Sequence, residues 1–331
     1  MNPSAEITTF SEGAEIRVDP DGLVTGVVGT TTSGQGHETL MATIIGEELG
    51  IDPDTIRVVH ADSLNAPVTR SPVASRMAIM LGSSTAAAAQ KIIAKVMRIA
   101  AYNLQEVEDD LEYVDGSVFV RRDPVRKLTW RDICFIAHKA YHKMPDGMEP
   151  GLQAQHVFQV PGGGQLPDEQ QRVQIYPCFS FQAHIPYVEI DPGTGHVKIL
   201  DYTIGHDCGT MINPDIVRGM VIGGLVHGIG AALYEKFAYR PDGQFESATF
   251  ADYLMPSVYE VPMVKDVDHC TPSPLTSHGQ KGSGEGGYLG APAAIASAVN
   301  DALYPRGVSI NELPMRSHLI EDLLNGGKTN P

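Results

Sequence analysis

A chain of 331 residues, 42% apolar and 19% charged, is long enough for a sizeable core and for two domains or subdomains. Its formal net charge of −16 leaves no basic stripe to neutralise phosphates, which argues against a nucleic-acid partner and is compatible with a cytosolic, cytoplasmic enzyme. The 34 glycines and 23 prolines predict many tight turns and loops that approach ligands closely.

The start alternates in hydrophobicity. Ala14–Val18 and Leu23–Val28 flank a Pro-Asp-Gly turn and predict a hairpin. After a polar, glycine-bearing loop, Leu40, Ile44, Ile45 and Leu49 fall at helical spacing, which predicts a helix over 37–49 ended by Gly50. A strand over 56–60 and a long alanine-rich helix over 82–104 follow. Asp115-Gly116 predicts a second hairpin within 110–120. Thr129 caps a short helix that reaches Tyr141.

The stretch 144–174 is the weakest for regular structure, with Pro145, Pro150, Pro161, Gly162-Gly-Gly164 and Pro167, and the boundary between two halves is placed there. Strands over 180–190 and 196–204 are joined by Asp191-Pro-Gly-Thr-Gly195. A helix then starts at Asn213-Pro214 and carries Gly219, Gly223, Gly224, Gly228 and Gly230, so many glycines that close packing or a ligand must explain them. A last helix spans 291–303, and the tail 325–331 is expected to fray.

The cysteines Cys134, Cys178, Cys208 and Cys270 form no CxxC pair and no ferredoxin-like spacing, and are expected to be reduced and mostly buried. Met1-Asn-Pro-Ser-Ala-Glu lacks the basic start and apolar run of a signal peptide. No stretch is expected to span a bilayer, since the apolar piece 77–89 is too short, so no membrane insertion is expected.

Four segments could carry chemistry. Ser33-Gly-Gln-Gly-His-Glu-Thr39 precedes a helix, where glycines open the backbone to a ligand and Gln35 offers both a donor and an acceptor. A plain capped loop would carry the same residues. Ser71-Pro-Val-Ala-Ser-Arg-Met77 fits either a phosphate-facing loop or an exposed turn with a solvated arginine. Asp207–Pro214 has a bland explanation in helix capping. In Lys281-Gly-Ser-Gly-Glu-Gly-Gly287, Glu285 has no bulky neighbour and sits just before a helix, placed either to project into a cavity as a base or to lie on the surface. His37, His184, His206 and His227 read as ordinary histidines, and no HExxH, GxSxG or GxxxxGK[ST] run occurs.

The order of the motifs is more specific than any one of them. Gly34-Gln-Gly-His-Glu-Thr39, Ala74-Ser-Arg76, Val188–Lys198, Asp207-Cys-Gly209 with Asn213-Pro214, Phe250–Tyr253 with Pro256, and Lys281–Glu285 occur in the sequence and spacing of a known family. The chain resembles the molybdopterin-binding subunit of the xanthine oxidase, aldehyde oxidase and carbon monoxide dehydrogenase family, in its C-terminal half only. The resemblance implies an α+β fold, the second molybdopterin-binding domain of the xanthine oxidase type, as two α/β subdomains with mixed sheets. Residues 1–150 would carry the Gln35 and Ala74–Arg76 loops, and 151–331 the glycine-rich helix and the Glu285 loop.

It also implies molybdopterin with molybdenum, as a dinucleotide, held by Gln35, Gly34, Gly36, Ala74, Ser75, Arg76, Lys281 and Gly284. The metal would be bound by the pterin dithiolene and by no protein ligand. Glu285 matches the catalytic base of a hydroxylase acting on an N-heterocycle, an aldehyde or a related aromatic small molecule. A separate chain would carry the N-terminal half, as in split-subunit nicotinate-dehydrogenase-like enzymes, with 2Fe-2S and FAD on further subunits. The chain departs from the family at Met220 and His227, where glutamine is frequent. A non-catalytic pterin-binding or assembly subunit is the alternative.

Overall fold

The computed structural model describes residues 2–5, 11–60, 62–161, 169–172 and 178–327, with the backbone alone for 2–5. The glycine and proline run 162–168 and the end of the tail, 328–331, lie outside the described residues.

The strands are β1 (Asn2–Ala5), β2 (Glu12–Val18), β3 (Val24–Val28), β4 (Arg57–Val59), β5 (Leu111–Val114), β6 (Ser117–Val120), β7 (Asp123–Leu128), β8 (Leu152–Phe158), β9 (Phe179–Ile190), β10 (Val197–Asp207) and β11 (Val264–Asp268). The helices are α1 (His37–Leu49), α2 (Met77–Leu104), α3 (Trp130–Lys139), α4 (Pro214–Leu233), α5 (Gly286–Leu289), α6 (Ala291–Leu303) and α7 (Ser317–Leu324).

One mixed sheet has the order β4-β3-β2-β8, with β4 parallel to β3 and the other pairs antiparallel. α1 and α2 pack on it around Ile16, Val28, Met41, Ile45, Ile92 and Ile99, which are buried in one core. Gly50 closes α1 in the left-handed region, as its position predicts. Thr129 and Asp132 form a reciprocal capping box that starts α3. A small antiparallel sheet, β5-β6-β7, turns through Asp115 and Gly116, both at positive φ.

The second mixed sheet has the order β1-β9-β10-β11, with β11 parallel to β10. The hairpin at 191–195 pairs Ile190 with Val197. α4 and α6 cover one face of this sheet, burying Tyr202, Ile204, Leu225, Ile229, Ile295 and Val299 in a second core. The glycines of α4 divide by their surroundings. A Cβ on Gly228 would stand 2.5 Å from that of Ala291, and one on Gly224 would stand 3.1 Å from the backbone of Gly287, so these two allow α5 and α6 to approach. Gly219 and Gly223 have nothing within 4 Å of a Cβ.

Several elements differ from expectation. β8 runs through the stretch read as irregular. Its prolines 150 and 161 lie outside the strand, and Leu152–Phe158 pairs with the full length of β2. α2 starts five residues before the predicted Gly82, because Met77, Ile79, Met80 and Leu81 are buried on all sides rather than on one stripe. α2 and α4 are also long and apolar enough to cross a membrane by length and composition, against the expectation that no stretch is. In α2, 67% of the apolar window is buried inside the protein, as in a core helix. None of the four cysteines is in a disulfide; Cys134, Cys178 and Cys208 are buried and Cys270 is exposed.

Candidate functional site

Between the two cores lies a cavity of about 490 Å³, within the usual range for a small-molecule site. Four separate segments line it: Gln35–His37 with Leu40, Pro72–Ala78, Cys208–Met220 in part, and Gln280–Glu285 in part. Of the residues singled out in the sequence, Gln35, Gly36, Ala74, Ser75, Arg76, Lys281, Gly284 and Glu285 all reach it. Gly34 does not line the cavity, although its φ of 97° shapes the loop that does.

The Gln35 loop is held by its own side chain. Gln35 Oε1 accepts from the Ser33 N–H and from the Thr32 hydroxyl at 3.3 Å, which leaves the amide NH2 as the end available to a ligand. Gly36 begins α1 at φ 78°, with no side chain capping the helix, so the first-turn N–H groups stay open to an acceptor. His37, read as ordinary from sequence, lines the cavity, and its buried Nδ1 has no protein partner. Burial pushes its imidazole below the usual value, with a bond to the Thr31 backbone opposing, so the ring is neutral at pH 7.

The turn before α2 has a left-handed backbone at two consecutive non-glycine residues, Ala74 (φ 51°) and Ser75 (φ 55°). Arg76 anchors it. The guanidinium is fully buried and bonds Glu12 at 2.8 Å and the Ser11 carbonyl at 3.2 Å. Arg76 therefore spends its charge on Glu12, a partner the sequence did not suggest, and not on the open part of the cavity. Glu12 is also fully buried, and accepts further from the Thr69 hydroxyl and the Arg70 N–H.

Lys281 is likewise engaged. Its Nζ lies 3.3 Å from Asp207 and over the Phe181 ring, and its N–H donates to the Cys208 carbonyl. Burial pushes Asp207 up, but bonds from Thr271, the Gly209 N–H and Lys281 outweigh it and hold the carboxyl at about 2. Lys281 and Asp207 thus tie the start of the Glu285 loop to the end of β10.

Glu285 is half-buried on the cavity wall. Its Oε2 accepts from the Ser75 hydroxyl at 2.9 Å, and its N–H donates to the same Ser75 oxygen at 3.0 Å. Behind it, His184 Nε2 contacts the Gly286 carbonyl at 3.3 Å and Nδ1 contacts the Tyr202 hydroxyl at 3.0 Å. Burial lowers the pKa of His184, against the bond to Gly286, so a neutral ring donates from Nε2 and accepts at Nδ1. A Cβ on Gly286 would stand 2.8 Å from Gln182 Nε2 and 3.0 Å from His206 Nε2, which explains the glycine there.

The remaining wall is apolar, and includes Met211, Ile212, Ile216 and Met220. Met220 lines the cavity where glutamine was expected. His227 lies against Tyr288 instead, the rings tilted by 35° with centroids 4.7 Å apart. Sequence reasoning missed His37 and the Ser75–Glu285 contact. It singled out 207–214 but gave it a capping role. The cap is present, since Asn213 accepts from the Ile216 N–H at 3.1 Å, and the same segment forms a cavity wall.

The molybdopterin cofactor-binding domain family matches residues 1–262. The chain belongs to that family. It is 35% identical over 315 residues to the nicotine 6-hydroxylase large subunit of Paenarthrobacter nicotinovorans, covering 95% of this chain and 37% of that protein. It is 35% identical over 309 residues to the carbon monoxide dehydrogenase large chain of Hydrogenophaga pseudoflava, covering 93% of this chain and 36% of that one. The structure is similar to reconstituted CO dehydrogenase from Oligotropha carboxidovorans, with a TM-score of 0.86 at 30% identity, covering 98% of this chain and 39% of that chain. The chain thus spans less than two-fifths of the length of these relatives.

The residues present fit one side of a molybdopterin. An uncapped helix start, a glutamine NH2 and a buried Nδ1 without a protein partner meet an apolar wall, the mixture of few polar groups and much apolar surface that a flat heterocycle needs.

Proposed function

We propose that this chain is the C-terminal part of the molybdenum-binding unit of a hydroxylase, and that Glu285 is its catalytic base. The observation that carries this reading is a carboxylate on the wall of the cavity with one oxygen held, Oε2 by Ser75, and the other, Oε1, left to take a proton. Gln35, the first turn of α1 and His37 would hold the cofactor, and when bound that group supplies the two-electron redox chemistry. Glu285 Oε1 removes the proton of the water whose oxygen enters a C–H bond of the substrate. Met211, Ile212 and Ile216 exclude bulk water from that step.

The proposed substrate is an N-heterocycle, an aldehyde or a related aromatic, and the likeness to a nicotine 6-hydroxylase supports the N-heterocycle among them. The proposed partners are a separate chain carrying the rest of the large subunit, an iron–sulfur subunit and a flavin subunit. Within this chain we place the division at residue 150, with β8 crossing it to complete the first sheet and β1 crossing back to β9.

In the assembled complex, Glu285→Gln is expected to lower turnover by roughly 10²–10⁴-fold, the usual contribution of a general base, with molybdenum and pterin content unchanged. Turnover equal to wild type removes Glu285 from the mechanism. Active complex that contains no molybdenum would favour the assembly role instead.

A further inference from the structure

We propose that Ser75 is the positioning residue of Glu285, acting on the carboxylate and on the backbone at once. This rests on Glu285 being the base, and gives Ser75 a task within the chain in place of one on the cofactor.

The geometry is reciprocal. The Ser75 hydroxyl donates to Glu285 Oε2 at 2.9 Å, and the Glu285 N–H donates to Ser75 Oγ at 3.0 Å, across 210 residues of sequence. The hydroxyl has one proton, and it lies on the carboxylate, so Oε2 is directed and Oε1 is the oxygen left for chemistry.

The backbone is arranged to present that hydroxyl. Ala74 and Ser75 both hold positive φ, a conformation that is unfavourable for non-glycine residues and persists where surrounding contacts enforce it. The next residue supplies the enforcement: Arg76 is fully buried on Glu12, and its N–H bonds the Val73 carbonyl across the turn. Gly284 lies beside the contact, where a Cβ would make an ordinary van der Waals contact with Ser75 Oγ at 3.4 Å. A residue serving only to fill the wall would need neither the strain nor both hydrogen bonds.

Two variants separate the hydroxyl from the backbone. Ser75→Ala removes the hydroxyl and keeps the Cβ, while Ser75→Gly removes it and favours the left-handed turn. In the assembled complex both are expected to lower kcat by about tenfold, with KM changed less than about twofold. Amide exchange of the peptide spanning Glu285 should quicken by about tenfold in both, since its N–H loses an acceptor. Glu285→Gln is measured alongside. If it retains turnover, the base reading fails and this proposal with it. If it is inactive while Ser75→Gly keeps the wild-type kcat and exchange rate, the base reading stands and Ser75 is not its positioning residue.

Discussion

Arg76 and Glu12 are the pair on which the cavity turn depends. Both side chains have 0% exposure, so neither charge has water to fall back on. Glu12 takes the guanidinium at 2.8 Å, the Thr69 hydroxyl at 2.5 Å and the Arg70 N–H at 3.3 Å, which satisfies most of its acceptor sites. Removing one member of such a pair leaves the other charged and dry. Arg76→Met is therefore expected to cost about 3–5 kcal/mol, read by urea unfolding, and Glu12→Gln combined with it should recover part of the loss. An Arg76 bound chiefly to a ligand would predict the opposite, a small effect on the unliganded chain. The sequence placed Arg76 correctly in the cavity turn, but a partner 64 residues away leaves no local trace in it.

At the scale of elements, the two halves are joined just ahead of the Glu285 loop. Gln280 Nε2 donates to the Ala78 carbonyl at 3.1 Å at the start of α2, in the space left by Gly82. Two residues earlier, His278 Nε2 lies 3.1 Å from Glu48 near the end of α1. The bond to Glu48 raises the pKa of His278 against burial, and the same bond lowers that of Glu48. The sign follows from both. Stability from His278 is fully present below its unfolded value of about 6.5 and is lost as pH rises through the raised one. Stability from Glu48 is present above its unfolded value and is lost as pH falls through the lowered one. The clamp thus works in mildly acidic to neutral solution. His278→Gln should cost about 0.5–1 kcal/mol at pH 6 and almost nothing at pH 9, compared by denaturant melts at both values. Equal losses at the two pH values would show that the imidazole acts by packing alone.

Much of this scale was legible. α1 and α6 occupy the residues that periodicity assigns them, and the hairpins at 19–22, 115–116 and 191–195 follow their turn residues. β8 was hidden because its prolines neighbour the strand without entering it, and its pairing with β2 is set by tertiary contact. β11 is a short parallel edge strand whose order comes from β10, 57 or more residues away in the chain. The loops that the ordered motifs single out line one cavity, while the contacts among their side chains, Ser75 with Glu285 and Lys281 with Asp207, had to come from the fold.

At the scale of the whole molecule, runs of large apolar side chains among the described residues are left open on β9 and after α4. On β9 the alternate residues Phe179, Phe181, Ile185 and Tyr187 face away from α6, and Val267 of β11 lies on the same sheet, all exposed. In the segment after α4, Phe250, Val258, Tyr259 and Met263 are exposed, Tyr259 at 92% and Met263 at 88%. Single exposed apolar residues need no explanation, but runs of large ones along a strand and a loop mark surfaces that meet another polypeptide. The relatives carry more than three-fifths of their length beyond the part this chain matches, and the proposed partner chain would supply the corresponding cover. Ile185→Glu with Tyr259→Glu should leave the melting temperature of the isolated chain within a few degrees of wild type, because neither side chain is buried in it. The same variant should bind the co-expressed partner chain at least about tenfold more weakly, since each buried aromatic or aliphatic anchor contributes on the order of 1–2 kcal/mol or more. Size-exclusion chromatography of the co-expressed pair, followed by titration of the separated chains, distinguishes the cases. A variant that assembles as tightly as wild type would mean that these two surfaces stay open to solvent in the complex, and that the partner reaches the cavity from another side.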